Sequence, residues 1–216
     1  LAEALDGSTC SFFSGLAGEL SLFLLLGSFS EKSSHKGRCF NSSVLFGPSG
    51  ARVAVYRKMH LFDVDVPGGV SFRESDTVLA GGEVVVAETT LATIGMSICY
   101  DVRFGELYRS LASRGAEILT VPSAFTATTG RAHWETLLRA RAIETQTFVI
   151  APGQWGKHDD GGLRESWGHS LIVDPWGRVL AEAEGGIGLA MAEIDLDELR
   201  KVRAAIPMAQ HRRLPG

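Results

Sequence analysis

Residues 93–99, with the sequence TIGMSIC, constrain the fold of this chain more than any other segment because they are almost wholly apolar. A strand without polar alternation has to be covered on both of its faces, as the strands of parallel sheets are. Apolar side chains then recur from Phe104 to Leu111 at the spacing of one helix face, and residues 117–121 follow as a second predicted strand. This strand, helix and strand predict an α/β fold in which helices cover a sheet.

Most of the remaining chain shows the patterns of short strands, separated by turns that contain glycine. Gly47-Pro48-Ser49-Gly50 predicts a hairpin turn, whereas residues 59–75, with Pro67-Gly68-Gly69, predict a long irregular loop. No helix or strand pattern precedes the polar stretch at residues 6–11. The other predicted strands are residues 22–29, 41–46, 52–58, 83–88, 148–151, 169–174, 178–181 and 188–194, and the other predicted helices are residues 133–146 and 196–205, the last capped by Asp195.

Length and composition restrict the class of protein. The chain has 216 residues, of which 45% are hydrophobic and 21% are charged, so disordered and collagen-like classes are excluded. Because no repeat or linker interrupts it, we predict a single domain over residues 1–216. The formal net charge of -4 offers no basic surface, and the longest apolar run, residues 22–26, is far shorter than the roughly 20 residues of a membrane span. We expect neither nucleic acid nor a membrane as a partner.

The three cysteines, Cys10, Cys39 and Cys99, cannot all pair within one chain, which favours free thiols in a reducing compartment. The expected location is the cytoplasm, unless an upstream segment carries an organellar address. The six histidines show no spacing typical of a metal site, so no metal is expected.

Cys99 is the first candidate for chemistry because it ends the apolar strand and precedes a predicted helix. A helix N-terminus and a nearby lysine both favour the thiolate, which is the reactive form of cysteine. The alternative is a free cysteine that is simply a small buried apolar residue.

Lys58 is the second candidate, since it ends the predicted strand 52–58, in which alternation places it on one face with Ala54 and Tyr56. The alternative is a solvated lysine at a strand end, because lysine is rarely buried.

Four segments together closely resemble the Nit branch of the nitrilase superfamily of carbon-nitrogen hydrolases. They are YRKMHLFDVDVPGG, GMSICYDVRFGELYRSLASRGAEILTVPSAFTATTG, HWETLLRARAIETQ and GHSLIVDPWG. The resemblance runs from about residue 20 to residue 213. It implies a catalytic set of Glu3 in LAEALD, Lys58 in YRKMH and Cys99 in SICYD. LAEALD departs from the family pattern, which has a proline before the glutamate.

In such an enzyme the cysteine forms a thioester, a glutamate moves the proton, and a lysine with a backbone N–H stabilises the oxyanion. The lysine is then Lys58, and the backbone N–H is that of Tyr100. The resemblance also makes Glu74 a supporting carboxylate, for which the alternative is an exposed loop residue. It also places Ser123, Phe125 and Thr126 near the substrate, and it implies no metal or organic cofactor.

The implied fold is a four-layer αββα sandwich that pairs into a homodimer. Family members begin with a strand and a helix before the catalytic glutamate, and a further helix follows it. We expect these elements to be absent or shortened here, so that the domain is incomplete at its N-terminus. The enzyme hypothesis then applies if the chain is complete enough to be active. A truncated subunit or binding module without hydrolase activity is the alternative from another class, and acyl transfer from the thioester to an amine is a third.

Two substrate classes fit the Nit branch, both of them small amides that carry a carboxylate. One is deaminated glutathione, whose cleavage leaves cysteinylglycine, and the other is the ω-amide of a short 2-oxo dicarboxylate such as 2-oxoglutaramate. RARAIETQ, GQWGKH and QHRR resemble the first class more closely.

Overall fold

The computed structural model describes residues 2–65, 71–159 and 164–213. The chain divides into two compact units, Leu1–Ala87 and Glu88–Gly216. The single domain over residues 1–216 therefore stays a prediction. Pro67-Gly68-Gly69 of the predicted loop lies outside the described residues.

The first unit is a helix and an antiparallel sheet, followed by a small ribbon. Its elements are α1 (Ser8–Leu20), β1 (Leu24–Lys32), β2 (Cys39–Phe46), β3 (Arg52–Arg57), β4 (Asp63–Asp65), β5 (Ser71–Arg73), a 3-10 helix (Glu74–Asp76) and β6 (Val78–Leu79). The sheet has the order β1-β2-β3, and β6 joins β2 in parallel. β4 pairs with β5, so part of the stretch predicted as an irregular loop is a two-stranded ribbon.

The predicted hairpin is confirmed, because β2 and β3 pair antiparallel on either side of residues 47–51. Gly47 N–H donates to the Ala51 carbonyl at 2.8 Å, and Gly50 has a left-handed φ of 78°. The pairing continues one residue beyond β3, where Lys58 N–H donates to the Asn41 carbonyl at 2.8 Å. The hairpin therefore sets Lys58 opposite Asn41.

Helix α1 corrects the expectation that this part of the chain holds no helix or a shortened one. Ser8–Leu20 forms 13 helical residues, which bury Cys10 and Ala17 against Leu26, Val44 and Phe46 of the sheet. Its sequence, STCSFFSGLAGEL, is rich in serine and glycine, which are poor helix formers. Contact with the sheet stabilises it instead, as is usual for helices in proteins.

The second unit is built on a mixed sheet. Its elements are β8 (Thr93–Met96), a 3-10 helix (Cys99–Arg103), α2 (Gly105–Ser113), β9 (Ile118–Thr120), α3 (Ala127–Thr145), β10 (Phe148–Ala151), β11 (Trp155–Lys157), β12 (Glu165–Trp167), β13 (Ser170–Val173), β14 (Val179–Ala183), α4 (Leu196–Ala205) and α5 (Met208–His211), while β7 (Val86–Glu88) contains the boundary between the units. β8, β9 and β10 are parallel, as the strand, helix and strand pattern predicts. β13 and β14 extend the sheet antiparallel.

Two predictions in the second unit were wrong. Residues 188–194 form no strand, and the apolar side chains of Leu189 and Met191 are exposed rather than packed against a sheet. Helix α3 begins at Ala127, six residues before the predicted start at residue 133. Its first turns pack so closely that a Cβ on Gly130 would lie 2.4 Å from the Trp167 side chain. The polar sequence ATTGR shows no apolar periodicity from which a helix could be predicted, because its helical conformation depends on tertiary contact.

Among the residues that the structure describes, no helix is both long and apolar enough to cross a membrane.

The helix cap at Asp195 is confirmed, since its Oδ1 accepts from the Asp197 N–H at 2.8 Å at the start of α4. We expect Asp195→Ala to lower the free energy of unfolding by about 1 kcal/mol, the usual value of a lost N-cap. Asp195→Asn is the matched control, because asparagine accepts the same bond. Urea unfolding measures both variants, and equal losses would contradict the cap.

Candidate active site

Cys99 lies in a sharp turn between strand β8 and the 3-10 helix that it begins. Its φ of 50° places it in the left-handed region, which is uncommon for any residue other than glycine. Its N–H donates to the Pro122 carbonyl at 3.0 Å. A strained strand-to-helix turn is the geometry that exposes a nucleophile at a sheet edge. We call residues 97–103 the Cys99 turn.

Buried polar groups hold the Cys99 turn in this conformation. Asp101 is fully buried, and its carboxylate accepts from the Ile98 N–H at 2.8 Å. On the other side, Arg141 of α3 donates from Nε to the Val102 carbonyl at 2.8 Å. Ser97 Oγ bonds the Tyr108 hydroxyl at 2.7 Å. The backbone around Cys99 is therefore fixed from three directions, so its strain is maintained by packing rather than relaxed.

Arg103 lies in the same turn, with its guanidinium 5.1 Å from the centre of the Phe125 ring and 5.8 Å from that of Tyr100. Its Nη1 is 3.3 Å from His133 Nδ1. Burial lowers the pKa of Arg103, and its electrostatic interactions with Tyr100 and Cys99 oppose that change. Arginine stays charged in proteins, so this cation favours the Cys99 thiolate. No carboxylate pairs with Arg103 in the described ranges.

The sequence patterns had assigned no role to Arg103 or His133. Arg103 carried a usable signal, since it is the one cation within four residues of the candidate nucleophile. His133 carried none, because 34 positions separate it from Cys99 and only the start of α3 brings it to Arg103.

The three residues predicted to contact substrate lie in the loop between β9 and α3. Phe125 is buried, and its ring packs against Trp134 at 5.0 Å and beneath Arg103. Ser123 Oγ donates to the Val121 carbonyl, and Thr126 Oγ1 bonds Thr129 at the start of α3. The structure therefore brings Phe125 to the Cys99 turn, while the Ser123 hydroxyl bonds within its own loop and the Thr126 hydroxyl bonds the first turn of α3. Contact of all three with substrate stays a prediction.

Lys58 and Glu74, in the first unit, form a buried ion pair. Lys58 is 2% exposed and Glu74 is 7% exposed, so both the solvated-lysine and the exposed-carboxylate alternatives were wrong. Lys58 Nζ lies 2.5 Å from Glu74 Oε2, which also accepts from the Phe62 N–H at 2.6 Å. Glu74 Oε1 accepts from the Asn41 amide at 3.1 Å. This network satisfies the carboxylate on both oxygens, as a buried charge requires.

Glu3 precedes α1 in the chain, and its side chain bonds the first turn of that helix. Its Oε2 accepts from the Thr9 N–H at 2.9 Å and from the Ser8 hydroxyl at 3.0 Å, and its Oε1 accepts from the Thr9 hydroxyl at 2.7 Å. These bonds, with that of the Thr9 N–H the strongest influence, lower the pKa of the Glu3 carboxyl. Its backbone also pairs with Ser30 and Lys32 of β1. Such contacts anchor a helix to a sheet, and the role of Glu3 as general base stays a prediction.

No group of three histidine, cysteine, aspartate or glutamate side chains that could hold a metal ion occurs in residues 2–65, 71–159 and 164–213.

Comparison with known proteins identifies the family. A model of the carbon-nitrogen hydrolase family matches residues 1–204. The chain belongs to the carbon-nitrogen hydrolase family. Among curated members, it is 48% identical to the deaminated glutathione amidase of Homo sapiens, an alignment that covers 99% of this chain and 66% of that protein. It is 41% identical to the omega-amidase NIT2 of Homo sapiens, with 98% of this chain and 75% of that protein covered. The chain spans about two thirds of the length of the deaminated glutathione amidases of Homo sapiens, Mus musculus and Rattus norvegicus.

Solved structures of carbon-nitrogen hydrolases share the fold. The crystal structure of the C. elegans NitFhit protein aligns with a TM-score of 0.89 at 42% identity, covering 97% of this chain and 51% of that one. Saccharomyces cerevisiae Nit3, a member of branch 10 of the nitrilase superfamily, aligns with a TM-score of 0.84 at 32% identity, covering 99% of this chain and 75% of that one. The resemblance to the nitrilase superfamily and its α/β fold are therefore confirmed.

Cys99 should be the most reactive of the three thiols, because Arg103 favours its thiolate whereas burial raises the pKa of Cys10. Limited alkylation with iodoacetamide at neutral pH, followed by mass spectrometry, measures the order of labelling. We expect Cys99 ahead of Cys39 and Cys10. Labelling of Cys39 first would contradict the assignment of Cys99 as the nucleophile.

Glu3→Gln should lower the thermal midpoint at neutral pH, and the difference from the natural chain should vanish in acid. The pKa of Glu3 is lower in the folded chain than its ordinary value of 4.5, so its stabilising effect is present above that value. The effect is lost as the pH falls through the folded-state pKa. Thermal unfolding at about pH 7 and about pH 3 tests this sign, and an equal difference at both would contradict it.

Proposed function

We propose that this chain hydrolyses the carbon-nitrogen bond of a small amide through a thioester on Cys99. The observation that carries the proposal is the Cys99 turn, in which a thiol in a strained left-handed conformation lies beside a guanidinium that no carboxylate neutralises within the described ranges. Membership of the carbon-nitrogen hydrolase family supports it.

The reaction divides into two steps, and the atoms balance in each. In the first step, the Cys99 thiol gives up its proton, and Sγ forms a bond to the amide carbonyl carbon. The carbon-nitrogen bond then breaks, and the nitrogen leaves as an amine after receiving that proton. In the second step, water adds to the thioester, the carbon-sulfur bond breaks, and the carboxylic acid leaves as the thiol is restored. No step requires an oxidant, a reductant or a cofactor.

The proposed roles of the other residues follow the family resemblance. A glutamate moves the proton, and Glu3 is the residue to which the resemblance assigns this role. The Lys58 ammonium and the Tyr100 N–H stabilise the charge that develops on the carbonyl oxygen. Because Glu74 holds one proton of that ammonium and Lys58 is buried, the two remaining N–H donors have fixed directions. A fixed donor stabilises a transition state without reorganisation.

The substrate that we propose carries a carboxylate. Arg103 is a cation that is partly buried, stacked on the Phe125 ring, and near Cys99, so a substrate carboxylate would gain a charge-assisted hydrogen bond there. Deaminated glutathione is the preferred substrate because the relatives of 48% and 41% identity are named for deaminated glutathione and for omega-amides respectively. The ω-amide of a 2-oxo dicarboxylate is the second candidate. We further propose a cytoplasmic homodimer.

The experiment compares deaminated glutathione with 2-oxoglutaramate on the full chain, with cysteinylglycine and ammonia measured separately. We expect kcat/KM to be higher for deaminated glutathione, and Cys99→Ala to abolish both reactions. A dominant release of ammonia from 2-oxoglutaramate would assign the ω-amidase activity instead. Transfer of the acyl group to added amine, without free acid, would indicate acyl transfer. A properly folded chain that is inactive on both amides would support the non-enzymatic alternative.

Arg103→Gln tests the carboxylate. We expect KM to rise by about tenfold or more for the carboxylate substrate, because one charge-assisted bond is lost. Arg131→Gln is the matched control, since Arg131 also lies over an aromatic ring, that of Trp167 at 5.6 Å, and α3 carries it. An amide of the same size without a carboxylate should show no such change. An equal rise in KM for both variants would contradict the role of Arg103.

A further inference from the structure

A charged cluster lies on each face of strand β2. On one face, Ser42 Oγ and Arg57 bond the Glu31 carboxylate. On the other face, Asn41 bonds the carboxylate of Glu74, the partner of Lys58. Adjacent residues of a strand point to opposite faces. Asn41 and Ser42 are therefore neighbours in the chain but contact different clusters.

Asn41 contacts the Lys58–Glu74 pair in two ways. Its backbone carbonyl accepts from the Lys58 N–H at 2.8 Å, which fixes the start of the lysine side chain. Its side-chain amide donates to Glu74 Oε1 at 3.1 Å, which fixes the carboxylate that holds the other end. Both ends of Lys58 therefore depend on one residue.

The hydrogen bond from the Asn41 side-chain amide determines how the Glu74 carboxylate is oriented. Lys58 and the Phe62 N–H both bind Oε2, whereas in the part of the chain that the structure describes Asn41 is the one side-chain donor to Oε1. Two bonds to a single oxygen allow the carboxylate plane to rotate, and a third bond to the other oxygen stops that rotation. Rotation of that plane would change the direction in which Oε2 accepts from the Lys58 ammonium.

We infer that Asn41 is a positioning residue for the reaction, acting through Glu74 to fix the Lys58 ammonium. This inference rests on the proposed function, in which that ammonium stabilises the oxyanion. A catalytic donor has to be held within about 0.5 Å of its productive place, and a displacement of about 1 Å can reduce the rate about a hundredfold. Asn41 is then a determinant of kcat that touches neither the substrate nor the thiol.

The experiment compares Asn41→Ala with Ser42→Ala. Each variant removes one hydrogen bond to a buried glutamate from the same strand, so their structural cost is similar. We expect Asn41→Ala to lower kcat by about 10- to 100-fold with little change in KM, and Ser42→Ala to keep kcat within about twofold. Equal effects on kcat would overturn the inference.

Asn41→Asp adds a readout that a merely structural role would not move. The introduced carboxylate faces Glu74 and Lys58, while Glu31 and Arg57 lie on the opposite face of the sheet. Repulsion by Glu74 raises the pKa of the introduced group, and its proton then bridges to Glu74 Oε1 in place of the amide. We expect kcat relative to the natural chain to recover as the pH is lowered from about 8 to about 5. A ratio that is independent of pH would overturn the inference.

Acylation of lysine amines, measured by mass spectrometry, tests the position of Lys58 without activity. We expect Asn41→Ala to speed the acylation of Lys58, with Ser42→Ala unchanged and the exposed Lys36 as the internal reference. If the natural chain hydrolyses neither amide, the proposed function fails, and this measurement still decides whether Asn41 holds Lys58. An unchanged rate of Lys58 acylation in Asn41→Ala would contradict the claim that Asn41 fixes the position of Lys58.

Discussion

The buried pair of Lys58 and Glu74 is the interaction on which the first unit's chemistry depends. Removing two charges from water costs several kcal/mol for each ion, and only good geometry and further hydrogen bonds repay that cost. The pairing of β2 with β3 brings the lysine opposite Asn41, and the 3-10 helix after β5 supplies the glutamate. Loss of one partner would leave the other charged and buried, which typically costs about 3–5 kcal/mol. A change in the hairpin register would therefore separate Lys58 from Glu74 and leave two buried charges unpaired.

Sequence patterns predicted the parts of the fold that local chemistry determines. The turn at residues 47–50, the parallel strands on either side of α2, and the Asp195 cap each follow from residues adjacent in the chain. The patterns failed where contact decides the structure. Helix α1 is serine-rich and depends on the sheet, whereas residues 188–194 are mostly apolar, as in a strand, but pair with no described neighbour. Such segments depend on partners that are distant in sequence.

The candidate site divides in the same way. Cys99 and Lys58 were assigned from the family resemblance, since a buried apolar cysteine or a solvated lysine also fits the end of a strand. The resemblance also predicted Glu74 but not Asn41, because Asn41 and Glu74 are 33 positions apart and meet only when the sheet and the ribbon form. For Glu3 the resemblance predicts a catalytic base, which stays a prediction, and the structure adds its hydrogen bonds to Ser8 and Thr9 of α1.

The left-handed backbone at Cys99 has an evolutionary consequence. Any side chain with a Cβ is strained there, and glycine would adopt the same φ without that cost. A mutation to glycine would therefore relieve this strain as it removed the thiol, and a lineage with no use for the reaction would not select against that change. A cysteine at this position carries backbone strain, which is characteristic of sites under selection for activity.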